Sequence, residues 1–207
     1  TNILVENMLV AVGCGIENTM GYSIDNGINW IGLGKVLLDS SGLGIGYDDM
    51  SRFIAVGSGI NDTIIYSNNG IDWIPTNNSK VILDDYAKAI VYDNSNTLWL
   101  VGGKGSINNL AYSNTGIMWI GLGKTLFDIE INSFSKHNNT YILAFGNDSN
   151  SNSIAYSSDG KTWIPGEGEG GNTKDTIFSV QGNGGVYYNK ENIWIAVGEG
   201  VDNTIAY

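Results

Sequence analysis

Four carboxylates are the side chains best suited to chemistry: Glu6, Asp48, Asp49 and Asp93. Two or three carboxyls around one cavity can cleave a glycosidic bond, one protonating the leaving oxygen while another acts as base or nucleophile. Each of the four, however, follows a short apolar segment and stands where the chain must turn, as in Tyr47-Asp48-Asp49 and Tyr92-Asp93-Asn94. Short acids accept backbone N–H groups in turns, which accounts for them without catalysis. The corresponding positions elsewhere are Lys136-His137 and Asn189-Lys190, so no motif singles out one pair.

Other chemistries have thinner support. The one cysteine, Cys14, and the one histidine, His137, lie far apart in the chain, which leaves no thiol–imidazole pair and no Cys/His metal set. Cys14 sits in Gly13-Cys14-Gly15 and reads as a buried or half-buried thiol in a turn. Gly121-Leu122-Gly123-Lys124-Thr125 has the ending of a phosphate-binding loop, but Met118 stands where its first glycine belongs. The segment opens no helix, and its sibling Gly32-Leu33-Gly34-Lys35-Val36 lacks the hydroxyl. The turns Gly13 to Thr19, Gly57 to Thr63 and Gly198 to Thr204 carry one acid each, Glu17, Asp62 and Asp202. They are the binding candidates for calcium, yet one carboxylate per turn is little against a shell of about six to eight oxygens. They read as solvated turns.

Composition narrows the partners. A formal net charge of -11 over 207 residues, with Arg52 as the one arginine, argues against nucleic acid and against an anionic membrane surface. No apolar run is long enough to span a membrane, so no membrane insertion is expected. One cysteine excludes an internal disulfide framework. The 29 glycines and two prolines, set among short apolar runs, point to many short strands joined by tight turns.

The elements that must position these side chains follow from an internal repeat. Trp30, Trp73, Trp119 and Trp163 recur at 43, 46 and 44 residues, and Tyr22, Tyr66, Tyr112, Tyr156 and Tyr207 keep the same beat. Each unit has an apolar run such as Phe53-Ile54-Ala55-Val56-Gly57, whose lack of polar residues predicts burial on both faces. A Gly/Asn turn, a strand ending in Tyr-Ser, another tight turn and the Trp strand follow. A further strand precedes each apolar run: Asn2 to Glu6, Leu43 to Tyr47, Ala87 to Tyr92, Ile131 to Ser135 and Gly184 to Tyr188. Four hairpin-linked strands form one antiparallel meander, which cannot cover both of its own apolar faces. Radial stacking of copies does so. The fold class expected is therefore all-β: a single β-propeller domain of about five four-stranded blades, the last incomplete. Its units are 1–42, 43–86, 87–130, 131–176 and 177–207. A β-solenoid is the alternative, but its coils are shorter, about 20–30 residues. Because the fifth unit stops after its third strand, an aggregation-prone edge, the parent chain is expected to continue.

Tyr156-Ser157-Ser158-Asp159-Gly160-Lys161-Thr162-Trp163 resembles the Asp-box, or bacterial neuraminidase repeat, as does Ser23-Ile24-Asp25-Asn26-Gly27-Ile28-Asn29-Trp30. Ser67, Gly70 and Trp73 and Ser113, Gly116 and Trp119 repeat it, with Asn69 and Thr115 in place of the acid; the last three copies are one residue shorter than the first. The resemblance implies a propeller fold marker lying between outer strands, away from an active centre. Sialidase, the activity most associated with the box, needs three arginines on the substrate carboxylate, which Arg52 alone cannot supply. The fuller repeat resembles arrays in proteins of giant and other large DNA viruses, implying a virus-encoded protein on a virion or an extracellular surface. The function expected is a non-catalytic structural or interaction module presenting a protein- or glycan-binding face, without a cofactor. A glycan-active enzyme using channel carboxylates is the alternative. Ligand, partner and oligomeric state have no sequence signature here.

Overall fold

A computed structural model describes residues 8–35, 37–137, 141–149, 152–166 and 177–207. The elements alternate as the repeat requires. The first sheet holds β1 (Leu9–Val12), β2 (Met20–Ser23) and β3 (Ile31–Gly32); the second holds β4 (Ser41–Tyr47), β5 (Phe53–Ser58), β6 (Ile64–Ser67) and β7 (Ile74–Pro75). After a one-turn helix, α1 (Ser79–Ile82), the third sheet comprises β8 (Tyr86–Asp93), β9 (Leu98–Lys104), β10 (Leu110–Ser113) and β11 (Ile120–Gly121). The fourth comprises β12 (Glu130–His137), β13 (Tyr141–Asn147), β14 (Ile154–Ser157) and β15 (Ile164–Pro165). The fifth has β16 (Gln181–Tyr188), β17 (Ile193–Glu199) and β18 (Ile205–Ala206). The strand expected over Asn2 to Glu6 lies outside the described residues.

Every sheet is an antiparallel meander in chain order, and β4, β8, β12 and β16 pack against one another in succession as the inner strands. The chain is a β-propeller. Burial follows the stacking: Ile54, Ala55 and Val56 of β5, Leu98 to Val101 of β9 and Ile142 to Phe145 of β13 are all buried. In β1 and β17, which belong to the first and last described sheets, Leu9 and Val197 remain exposed. A face without a described neighbouring blade has nothing to cover it.

Inner strands start one to three residues earlier than the hydropathy pattern suggests, and each contains a β-bulge near its start. The register slips between Gly42 and Gly44, Ala87 and Ala89, Ile131 and Ser133, and Gly182 and Gly184. A bulge inserts one unpaired residue and re-aims its neighbours, so the alternation is broken there. The bulge residues, Leu43, Lys88, Asn132 and Asn183, fall at equivalent positions of four blades.

Between blades, the glycine of each Ser-x-x-Gly turn lies on the preceding blade. A Cβ on Gly70 would stand 2.4 Å from the Met8 sulfur, one on Gly116 2.5 Å from Ile54 Cδ1, and one on Gly160 2.6 Å from Leu98 Cδ2. All three glycines also have positive φ, near 70°, the region that L side chains avoid. Two independent constraints therefore select glycine.

Candidate functional site

The carboxylates first considered for chemistry are turn acceptors. Asp48 Oδ1 accepts the N–H groups of Met50, Ser51 and Arg52 at 3.0, 2.8 and 2.9 Å. Asp93 accepts Ser95 N–H at 3.1 Å and the Asn96 amide at 2.6 Å. Asp49, at φ +61°, occupies the turn itself and accepts Asn94 Nδ2 at 3.5 Å across to the next blade. Glu6 lies outside the described residues. The structure does bring Asp48, Asp49 and Asp93 around Tyr92. Burial and, after it, the charges of Asp48, Asp93 and Asp49 raise that phenol above its ordinary range. At the equivalent turn of the fourth blade, Lys136 donates to Tyr92 O at 2.7 Å, and His137 stacks on Tyr187 at 3.5 Å between ring centroids.

At the opposite end of the inner strands, the bulges build a polar chain that the sequence does not announce. Lys88 donates to Asn132 Oδ1 at 2.6 Å and lies 3.6 Å from a Glu130 carboxylate oxygen. Asn132 in turn donates to Gly182 O at 2.9 Å. Tyr86 O–H donates to Glu130, and burial, followed by that bond and the Glu130 charge, pushes the phenol well above its usual range. Blades three, four and five are thereby tied together. The second blade has Ser41 and Leu43 at the matching positions, so the repeat symmetry breaks. It breaks with one ammonium, one carboxylate, one phenol and one amide, and not with two facing carboxylates.

The three Ser-x-x-Gly turns and the one-residue-longer first turn, Ser23 to Gly27, are held by a repeated set of bonds. Ser23, Ser67, Ser113 and Ser157 each accept the turn glycine's N–H through Oγ at 2.8–2.9 Å. Asp25 takes Asn29 N–H at 2.8 Å and the Asn29 amide at 2.7 Å, with Ser23 O–H at 2.7 Å. These bonds, the Asn29 backbone first, lower its pKa to about 2. For Asp159, burial works in the raising direction, but the amides of Thr162 and Lys161 outweigh it and the value also falls to about 2. The extra residue of the first turn, Asn26, is accommodated at φ +59° beside Gly27 at φ +84°. Trp30, Trp73 and Trp163 donate Nε1–H to Gly27 O, Gly70 O and Gly160 O at 3.0, 3.2 and 3.0 Å. Trp30 nevertheless stands 48% exposed.

The turns carrying Glu17, Asp62 and Asp202 do not form a shared site. Asp62 falls one position after the other two, in register with Asn18, and accepts Ser79 O–H at 3.3 Å. Among the described residues no group of three or more His, Cys, Asp or Glu is placed to hold a metal ion. Cys14, expected to be buried or half-buried in its Gly-rich turn, is exposed, as are the residues that follow it, 15 to 18. A linker acid grips this turn in blades two, three and four. Asp39, Asp84 and Asp128, in the linkers between blades, accept the N–H groups of Ile60, Ser106 and Ser149 at 2.9, 2.6 and 2.7 Å. The Ser106 hydroxyl and amide hold Asp84 below its ordinary range.

Two grooves of about 290 and 280 Å3 open at successive odd junctions between blades. The first is lined by Met20, Leu33, Leu37, Leu38, Ile65 and Trp73, with exposed Asp72 at its edge. The second repeats it with Leu110, Leu122, Leu126, Phe127 and Trp163, with exposed Lys161 at its edge. Leu33 and Gly34 of one Gly-Leu-Gly-Lys segment and Leu122 and Gly123 of the other contribute to their lining. Gly34 and Gly123, at φ +76° and +78°, turn the chain, while Asn18 and Asn108 accept their N–H groups at 2.7 and 2.9 Å. The repetition of this segment after the first and third Trp strands was the sequence signal for the grooves.

The junction between blades two and three is closed. Its linker is two residues longer, and Asn78 both accepts Trp119 N–H at 3.1 Å and donates to Trp119 O at 2.9 Å. Trp119, 2% exposed, packs with Ile64, Ile82, Leu83 and Ala111, the counterparts of Met20, Leu37, Leu38 and Ile65. Its indole N–H has no hydrogen-bond partner. The turn also differs: Thr115 Oγ1 accepts Ile117 N–H at 3.3 Å, whereas Asn69 and Asp159 each accept two successive amides. Trp119 does not make the bond to its turn glycine's carbonyl that Trp73 and Trp163 make, and its indole fills the groove.

No family model and no curated protein matches the sequence. Solved structures do resemble the fold. A chain of a nidogen/laminin complex superposes with a TM-score of 0.58 at 13% identity, over 86% of this chain and 63% of that one. YCF48 bound to a D1 peptide gives 0.60 at 12% identity, over 93% and 60%. A GH74 enzyme from Niastella koreensis gives 0.49 at 19% identity, over 76% and 23%. Both leading neighbours are β-propellers. The chain spans less than two thirds of the length of either.

Proposed function

We propose that this propeller is a non-catalytic interaction module that engages a protein partner. The observation that carries the reading is the state of its acids: Asp48 and Asp93, expected to do any chemistry, already hold turns through two or more hydrogen bonds each. Oxygens engaged in holding a turn are committed to the backbone and are not presented to a substrate. Glu130, at the opposite end of the inner strands, is paired with Lys88. The two leading neighbours were solved with protein partners, laminin and a D1 peptide, which agrees with this use of the fold. The four turns opened by Ser23, Ser67, Ser113 and Ser157 act on this reading as Asp-box fold markers. The repeat's likeness to arrays of large DNA viruses suggests a module carried on a virus particle.

The test has two arms run on the whole chain. A glycan array with and without calcium, followed by a panel of aryl glycosides, is expected to give neither binding nor turnover. A displayed peptide library is expected to yield enriched binders. Glycoside turnover abolished by Glu130→Gln would overturn the reading in favour of an enzyme, and a library that enriches nothing would remove its basis.

A further inference from the structure

The three central junctions share one groove architecture, and one of them displays its own occupant. At the second junction the space between blades is filled by the indole of Trp119, fixed by Asn78 through both backbone groups. At the first and third junctions the matching tryptophans, Trp73 and Trp163, keep their glycine carbonyls and form a wall, leaving the grooves open. Their floors, Leu37 and Leu38 in one and Leu126 and Phe127 in the other, are the counterparts of Ile82 and Leu83 beneath Trp119. An apolar slot of this kind, walled by an indole and matched to an indole elsewhere in the same molecule, accepts one planar aromatic side chain. Aromatic pairs favour tilted or offset contact and add about 0.5–1.5 kcal/mol beyond area burial.

Charge decides which partner. The edge of the first groove carries exposed Asp72, whose carboxylate takes one hydrogen bond, from Asn69 at 2.8 Å. The whole chain bears a formal charge of -11. In the third-junction groove the edge carries Lys161, whose ammonium lies 4.9 Å from the Tyr112 ring centroid. The apolar floor is common to both grooves, while the sign of the rim is not. We propose that the first groove, between blades one and two, is the docking site for a partner peptide that inserts one aromatic side chain flanked by lysine or arginine. This rests on the reading of the chain as a protein-binding module and names the chemistry of its partner. The aromatic ring lies between Trp73 and the Leu37–Leu38 floor, and the flanking cation meets Asp72 in a long-range field that already favours it.

The probe is the capped tripeptide Lys-Trp-Lys, compared with Lys-Ala-Lys and Glu-Trp-Glu, titrated into the whole chain and followed by calorimetry and methyl NMR. Lys-Trp-Lys is expected to bind saturably and to shift the Met20, Leu33 and Leu37 methyls, with both comparison peptides weaker. Asp72→Lys, a change at an exposed site, is expected to weaken Lys-Trp-Lys about tenfold, or about 1.4 kcal/mol, and to strengthen Glu-Trp-Glu. Leu37→Trp, which fills the slot as Trp119 does, is expected to abolish binding of both. Equal affinity in wild type and Asp72→Lys, or methyl shifts confined to other blades, would overturn the proposal. If library-selected peptides still bind and ignore both variants, the groove is wrong while the interaction module stands; if no peptide binds at all, both fall.

Discussion

Replacing Gly160 by alanine tests how the blades are held to one another. Gly160 has φ +69°, and an added Cβ would stand 2.6 Å from Leu98 Cδ2 and 3.3–3.4 Å from the two δ carbons of Leu100, both fully buried in the preceding blade. The control is Gly123→Ala: φ is +78° but nothing lies within 4 Å of the new atom. Both variants carry the left-handed backbone cost, roughly 1–2 kcal/mol. Both also gain the same unfolded-chain entropy term, so these effects cancel in the difference. Gly160→Ala alone adds overpacking against leucines that have no room to move, about 1–3 kcal/mol. For a chain of this size each kcal/mol shifts the midpoint by about 2–4 °C. Thermal unfolding followed by circular dichroism should therefore place Gly160→Ala below Gly123→Ala by about 2–12 °C. A double variant with Leu98→Ala should recover part of the loss relative to Leu98→Ala alone. Equal midpoints for the two glycine variants would refute the close approach of the turn to the neighbouring blade, and with it the account of why the turn glycine recurs.

Other outcomes follow from the same geometry. Asn78→Ala leaves the Trp119 N–H and C=O without their partner and should cost about 2–4 kcal/mol, with a red shift of tryptophan emission as Trp119 gains access to water. Thr97, exposed and at φ +51°, is a β-branched residue in left-handed backbone, so Thr97→Gly should stabilise by about 1 kcal/mol, read from the urea midpoint. Asp25 and Asp159 have folded pKa values lowered to about 2 against about 3.9 unfolded. Their contribution to stability is thus complete above pH 4 and lost as pH falls towards 2. Unfolding midpoints measured from pH 5 to 2 should drop, and less steeply in Asp159→Asn, whose amide Asn69 already imitates in the second blade. Glu130→Gln removes a charge and changes the acceptor beside Tyr86, which should lower that phenol's pKa in a spectrophotometric titration.

How much was legible beforehand varies with the range of the interaction. The tyrosine and tryptophan beat and the hairpin-linked strands of each unit were readable, because hairpins are written in contiguous residues whose alternation and glycines specify local geometry. So was the use of Asp48 and Asp93, since a short acid captures amides two to four residues ahead. The bulge near the start of each inner strand escaped the pattern. The bulge sits where neighbouring inner strands approach closely, which is not written in contiguous residues: Gly44, for example, lies so close to Lys88 O that a Cβ would approach it to 2.8 Å.

The sequence by itself determined that copies of one meander must stack, since each carries two apolar faces and can hide neither alone. Only the tertiary structure decided what those copies do to one another. It joined Lys88, Glu130 and Asn132 across blades, turned Trp119 into its junction, and left Trp73 and Trp163 as walls of open grooves. Periodicity specifies equivalence between units. A longer linker breaks that equivalence by bringing Asn78 onto Trp119, some 40 residues away, a contact which no local pattern encodes.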